Sequence, residues 1–314
     1  MKIDLAISKY LDLIKIQGCT SDTLANQKLR VNHCFDYLKT LGFSEVEDVT
    51  LKELNGYQVH LYYYITRYGK PMAIESQISY LSAVLSFYKT LTKARVLINN
   101  PAIDLDFPRR VKKLPAHSYS SNDLRKIYSG IDTDSIYGFQ FRTMLEVFSS
   151  TGIRSGELCS LRLKNLELDD GFVFIKEGKG LKDRRLPIGK TAIAYLKGFL
   201  NDVRIHLVKP VTGDHVFVTK SGRMFDRYSI SKKIPSLGKK VKFKKPLNCK
   251  VFRVTVATSL LRANCSPREV MDMLGHSDLA SLEYYLAIVK KDLKKTHKKA
   301  LDKKLPKTDV RYSG

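Results

Sequence analysis

Residues 107–115 read Phe107-Pro108-Arg109-Arg110-Val111-Lys112-Lys113-Leu114-Pro115. Each proline pushes the residue before it out of helical backbone, so no helix is expected to cross this stretch and the chain must fold on either side of it. The charge changes at the same place. Residues 1–107 hold 12 basic and 11 acidic side chains, whereas residues 108–314 hold 43 and 20. Nearly all of the net +24 therefore lies beyond the break. A length of 314 residues agrees with two domains, each of about 100–200 residues. The expected division is 1–107, a basic linker over 108–117, a second domain over 118–289 and a basic tail over 290–314.

The second domain is charged in one direction. Residues 227–268 contain 12 basic side chains and no acidic one, with Lys239, Lys240, Lys242, Lys244 and Lys245 close together. Such a surface repels itself unless a polyanion neutralises it, which points to nucleic acid before an acidic membrane. At 43% hydrophobic the chain can build real cores, so a disordered basic tail is excluded. No apolar run approaches the ~18–20 residues of a membrane span. Charges interleave with the apolar residues of the first 18 positions, so no signal-peptide core is expected. Cys19, Cys34, Cys159, Cys249 and Cys265 show no paired spacing, which argues against a disulfide framework or a zinc site. The expectation is a soluble protein of a reducing, cytoplasmic compartment.

Apolar residues at helical spacing mark 3–16, 22–40, 51–68 and 75–91 as helices, and Gly42 is a natural stop after the second. The first domain is then a helical bundle. Its tyrosines Tyr57, Tyr62, Tyr63, Tyr64 and Tyr68 are expected in the core or at its rim. In the second domain, Ser121-Asn122-Asp123 caps an apolar run, and 136–150 has helical periodicity. Phe172-Val173-Phe174-Ile175 and Arg184-Arg185-Leu186-Pro187-Ile188 read as two strands of a hairpin, with Pro187 restricted to an edge or strand end. Ser266, Pro267 and Glu269 form a capping box with proline at the first helical position, and Gly275 ends that helix. A further helix starts at Ser277 or Asp278 and carries Leu282, Tyr285 and Leu286. The fold class is mainly α, an N-terminal helical bundle followed by a mixed α+β domain with a small antiparallel sheet.

Five features stand out once a polyanion is the partner. Arg154 lies in Thr151-Gly152-Ile153-Arg154-Ser155-Gly156-Glu157-Leu158, between glycines, where its planar fork can meet a phosphate. Lys179 sits at the hairpin tip between Gly178 and Gly180, with Lys182 just after it. Lys250 and Arg253 are three apart on one helix face. Leu274-Gly275-His276-Ser277-Asp278-Leu279 is followed by Tyr284-Tyr285, eight and nine residues after His276. In this order and spacing they resemble the tyrosine recombinase, or phage integrase, family, and the hairpin and the Leu-Gly-His-Ser-Asp segment are most similar to its Xer-type branch.

That resemblance implies a core-binding, SAM-like first domain that clamps DNA and a catalytic second domain. It assigns the two family arginines to Arg154 and Arg253, the hairpin lysine to Lys179, the late histidine to His276 and the nucleophile to Tyr285. Glu157 matches an acidic residue that holds the first arginine, and Tyr284 packs. The family usually has histidine where this chain has Lys250, as in the related type IB topoisomerases. A lysine with an ordinary pKa of ~10.4 is a poor base unless desolvated or beside other cations, so Lys250 is either a tuned base or a phosphate clamp, and we favour the clamp. Arg109, Arg110, Lys112, Lys113, Lys182, Lys239, Lys240, Lys242, Lys244 and Lys245 are candidate DNA contacts. The resemblance further implies double-stranded DNA as partner, assembly from dimer to tetramer on that DNA, strand exchange through a Holliday junction, and no metal or other cofactor. A two-metal site needs clustered carboxylates, and the adjacent Asp169 and Asp170 read as a loop. The alternatives are a type IB topoisomerase-like relaxing enzyme, suggested by Lys250, and a catalytically inactive DNA-binding accessory protein.

Overall fold

The computed structural model describes residues 1–110, 118–176, 183–275 and 283–290. Lys112, Lys113, Lys179, Lys182, His276, the hairpin tip, the expected helix start at Ser277 or Asp278 and the tail beyond residue 290 lie outside the described residues. The chain divides into two compact units, Met1–Lys113 and Leu114–Gly314, each with its own core.

The first unit has helices α1 (Ile3–Ile16), α2 (Ser21–Thr40), α3 (Leu51–Tyr63) and α4 (Ile74–Lys93). α1 buries Ile3, Ala6, Ile7, Tyr10 and Ile14, the three-and-four spacing of one helix face. α3 starts with a capping box in which the backbone of Thr50 donates to Glu53 at 2.9 Å. Aromatic edges fill the centre: Phe87 meets Tyr10 and Phe35 with ring centroids at 5.3 and 5.0 Å. α3 stops at Tyr63 rather than running to residue 68. The backbone amide of Met72 donates to Tyr64 at 3.0 Å and that of Thr66 to Lys70 at 2.8 Å, so a tight turn replaces the expected last turns of helix. Tyr57 is buried and Tyr64 packs against the core, but Tyr62, Tyr63 and Tyr68 are 64%, 73% and 74% exposed, at the surface rather than in the core or at its rim.

The second unit has α5 (Ser121–Ser129), α6 (Ile136–Thr151), α7 (Ser155–Cys159), α8 (Lys190–Gly198, continued by a π turn over Phe199–Val203), α9 (Arg227–Lys240), α10 (Cys249–Arg262) and α11 (Pro267–Leu274), and residues 283–290 form α12. Strands β1 (Leu166–Glu167), β2 (Phe172–Ile175) and β3 (Arg184–Pro187) make an antiparallel sheet in that order, with Val173 opposite Leu186. The expected hairpin is thus β2–β3, and Pro187 closes the edge strand, where a missing N–H is tolerated. β1 is too short to show alternation in sequence. α9 carries Pro235 in its interior, which reads as a break, yet Ile230, Ile234 and Gly238 recur every four residues on its buried side. Ser120, not Ser121, caps α5 and accepts from the Asp123 amide at 3.1 Å.

α10 packs against α6, with Phe252 and Phe148 stacked at 6.1 Å. Tyr119 fixes its start: its hydroxyl donates to the Pro246 carbonyl at 2.8 Å, and its amide donates to Thr255 Oγ1 at 2.8 Å. α10, α11 and α12 share a small apolar cluster of Val254, Ala257, Val270, Leu274, Tyr285 and Ile288. The result is mainly helical with one small sheet. Among the described residues no helix is long and apolar enough to cross a membrane.

Candidate functional site

The site forms where five pieces of the second unit converge: the α6–α7 turn, the base of β3, the inner face of α10, the end of α11, and α12. Gly152 ends α6 at φ 62°, in the left-handed region. A Cβ there would lie 2.8 Å from Leu274 Cδ2, so the position needs glycine twice over. The turn sends Arg154 to the start of α7, three residues before Glu157. The Glu157 carboxylate accepts from the Arg154 amide at 3.0 Å and from Arg154 Nη1 at 2.8 Å. It also accepts from Arg184 Nη2 at 2.7 Å. Burial alone would raise the Glu157 pKa. The hydrogen bond from Arg184, followed by those from the Arg154 backbone and side chain, outweighs it and holds the group below the usual carboxylate range.

The C-terminal end of α11 is the second anchor. The last carbonyls of a helix have no intrahelical partner and carry the negative end of its dipole. Here three guanidinium groups take them. Arg184 Nε donates to Met273 O at 3.1 Å, Arg253 Nη2 donates to Leu274 O, and Arg154 Nη2 donates to Gly275 O at 2.6 Å. Arg253 Nη1 also donates to Gly152 O at 2.7 Å, which ties the end of α6 to the end of α11. Gly275 is left-handed at φ 64°, and a Cβ on it would sit 3.2 Å from the Arg184 guanidinium.

Arg253 is 8% exposed. Burial, then the nearby Arg154 charge, pushes its pKa down to about 10 against the opposing pull of Tyr285 and Glu157, so it stays cationic at neutral pH. Tyr285 projects from α12 into this environment and hydrogen-bonds Arg253. Burial raises the phenol above its ordinary value, and the charge and hydrogen bond of Arg253, with the charge of Arg154, pull the other way. The ring of Tyr284 meets that of Tyr285 edge-on at 5.7 Å.

Arg154, Glu157, Arg253 and Tyr285 are therefore together. Lys250 differs from Arg253 although the two share α10: it is exposed, and its Nζ stands 5.9 Å from the Tyr284 ring centroid, at the outer edge of the site. Lys239, Lys240, Lys242 and Lys244 are exposed at and after the end of α9, Lys245 pairs with Asp123 at 2.5 Å, and Arg109 and Arg110 are exposed before the described stretch ends at residue 110. A polar cavity of about 310 Å³ beside Glu157 is lined by Arg162, Lys164 and Lys176. Among the described residues no group of three His, Cys, Asp or Glu side chains is placed to hold a metal. Sequence reasoning missed Arg184. The signal was available: alternation in β3 puts Arg184 on the same inward face as buried Leu186, and an inward arginine requires a carboxylate partner.

A model of the phage integrase family matches residues 118–292, the part of the chain that builds this site. The chain belongs to the phage integrase family. It is 28% identical over 310 residues to tyrosine recombinase XerC 2 of Ralstonia nicotianae, covering 98% of this chain and 89% of that one. It is 29% identical over 296 residues to tyrosine recombinase XerD of Staphylococcus aureus, covering 94% and 98%. Among solved structures, a lambda integrase tetramer bound to a Holliday junction superposes with a TM-score of 0.65 at 16% identity, over 91% of this chain and 77% of that one. As a phage integrase family member, the chain is a DNA strand-transferring enzyme, and its fold is that of the solved recombinase.

Proposed function

We propose that the protein is a site-specific recombinase that cuts and rejoins DNA through a 3′-phosphotyrosine link to Tyr285. One observation carries this reading: the Tyr285 hydroxyl hydrogen-bonds a buried arginine, Arg253, with Arg154 braced beside it. A phenol of raised pKa is a weak nucleophile and needs positive charge and a proton acceptor at the moment of attack. The phenolic oxygen forms a bond to the scissile phosphorus, the bond from phosphorus to the 5′-oxygen breaks, and the charge on the non-bridging oxygens meets Arg154 and Arg253 as preorganised donors. His276 is a third donor, either His276 or the scissile phosphate takes the phenolic proton, and Lys179 protonates the departing 5′-oxygen. Lys250 is a phosphate clamp at the rim. A 5′-hydroxyl from another strand then reverses the step, so the phosphodiester bond is exchanged without an external energy source.

In this reading residues 1–107 clamp DNA as a core-binding domain, 108–117 are a basic linker, 118–289 are catalytic, and 290–314 are a tail. Double-stranded DNA is the partner, and two to four protomers assemble on it to exchange strands through a Holliday junction. The enzyme acts in the cytoplasm on the nucleoid. The family match and the recombinase relatives favour this over a type IB topoisomerase or an inactive accessory protein.

The test begins with the DNA occupied by the protein in its host, recovered by crosslinking and sequencing. A nicked duplex of that site should trap a covalent adduct. Tyr285→Phe should abolish the adduct and leave DNA binding intact. An adduct that survives this change would transfer the nucleophile to Tyr284, and relaxation of supercoiled DNA lacking the site would favour the topoisomerase.

A further inference from the structure

We propose that Arg184 is a positioning residue that holds Arg154 and the end of α11 in register with the base of the β2–β3 hairpin. The proposal rests on the recombinase reading for its meaning, but its geometry is independent of it. Arg184 does two things with one planar group: Nη2 takes the Glu157 carboxylate at 2.7 Å, and Nε takes the Met273 carbonyl at 3.1 Å. Its side chain is 10% exposed and that of Glu157 is 9% exposed, so both charges are screened from water and constrained by each other.

The consequence runs outward from those contacts. Glu157 is the group that holds Arg154, through both its backbone and its guanidinium. Met273 is next to Leu274 and Gly275, whose carbonyls hold Arg253 and Arg154. Arg184 therefore reaches both family arginines through an intermediate group, at one end a carboxylate and at the other a helix terminus. It is also the first residue of β3, the strand that follows Lys179 in sequence. Any tilt of the hairpin base is thus shared with Arg154. Gly275 fits the same picture, since a Cβ there would press on the Arg184 guanidinium at 3.2 Å. Lysine can satisfy Glu157 but is a point charge, without the fixed fork that reaches the carbonyl of Met273 at the same time.

The experiment uses the full chain with Arg184→Lys, Arg184→Gln, Glu157→Gln and the double variant Arg184→Gln/Glu157→Gln. The first readout is the guanidinium NMR signals of Arg154. They should be separate in the wild type, from hindered rotation, and should merge in Arg184→Lys, which keeps the charge and so the fold. The second readout is single-turnover adduct formation on the nicked duplex described above. Arg184→Lys should slow it roughly 10–100-fold, the scale of a small misplacement of reacting groups, without weakening affinity for the duplex. Because Arg184 acts partly through Glu157, the double variant should lose less than the product of the two single losses. Unchanged Arg154 signals in both Arg184 variants would overturn the proposal. Fully multiplying losses in the double variant would also overturn it, because Arg184 and Glu157 would then act independently. A wild type that gives no adduct, while Arg184→Lys still frees Arg154, would sink the recombinase reading and support the positioning role.

Discussion

The core of the first unit and the site of the second are closed by different chemistry. The first is nearly neutral up to residue 107 and closes on aromatic edges, with Tyr10, Phe35, Phe87 and Tyr88 buried at its centre. The second, Leu114–Gly314, carries +19 of the net charge and, at its site, closes on guanidinium groups donating to backbone carbonyls. Aromatic packing tolerates small shifts because dispersion falls off gradually over many atoms. A fork of hydrogen bonds to fixed carbonyls does not, since each bond weakens steeply with angle. The unit proposed to do chemistry is built from the more exacting kind of contact.

The most damaging single change expected from this contrast is Gly152→Ala. It places a Cβ at 2.8 Å from Leu274 and forces an L side chain into left-handed backbone. We expect a loss of about 3 kcal/mol, or roughly 6–12 °C in the unfolding of a unit this size. Calorimetry should show the second unit's transition moving while that of the first stays in place; a shift shared by both would break the comparison.

Charge gives a smaller and more graded effect. Lys242→Gln and Lys244→Gln remove exposed cations from the segment after α9. Each should weaken DNA binding at low salt and reduce the slope of log affinity against log salt by about one. Exposed cations of the first unit, such as Lys89, should change the slope less. Equal changes from both units would mean that the charge asymmetry does not govern binding.

The smallest effect is in pH dependence, and the two units should differ in window. Burial, then the neighbouring His60, lowers the pKa of His33 against the pull of Asp36. The unfolded chain then takes up a proton on His33 before the folded one does, so stability of the first unit should begin to fall as pH drops below about 6.5. Glu157 is also depressed, but as a carboxylate. Its contribution is fully present above its ordinary value of about 4.3 and is lost as pH falls through its folded value. Acid titration followed by unit-specific probes should show the first unit weakening at the higher pH. His33→Phe and Glu157→Gln should each flatten one profile only.

Much of the site was readable because its members sit in short motifs. Arg154 and Glu157 are three apart, Lys250 and Arg253 share one helix, and Tyr285 follows Gly275 by ten residues. The capping box at Ser266 and the stop at Gly275 follow from local chemistry, and both stand as expected. Arg184 was not readable in that way because its partners, Glu157 and Met273, are distant in sequence. The carbonyls of Gly152, Met273, Leu274 and Gly275 were invisible for a simpler reason: every residue has one, and only tertiary structure selects which are used. The same holds for α3. Tyr64, Ile65 and Tyr68 prolong an apolar pattern past Tyr63, but the bond from Met72 back to Tyr64 decides where the helix ends. α9 was not read from the sequence, and its interior Pro235 sits beside a stripe that tertiary packing uses.

The contact between Tyr285 and Arg253 is made inside a single polypeptide. If Tyr285 is the nucleophile, each protomer is loaded on its own, and a neighbour can contribute only timing. Two crippled subunits then have nothing to lend each other: chains lacking the phenol and chains lacking the Arg253 guanidinium, mixed on one duplex, should stay silent. Restored cleavage in that mixture would show that the tyrosine is shared across the assembly instead.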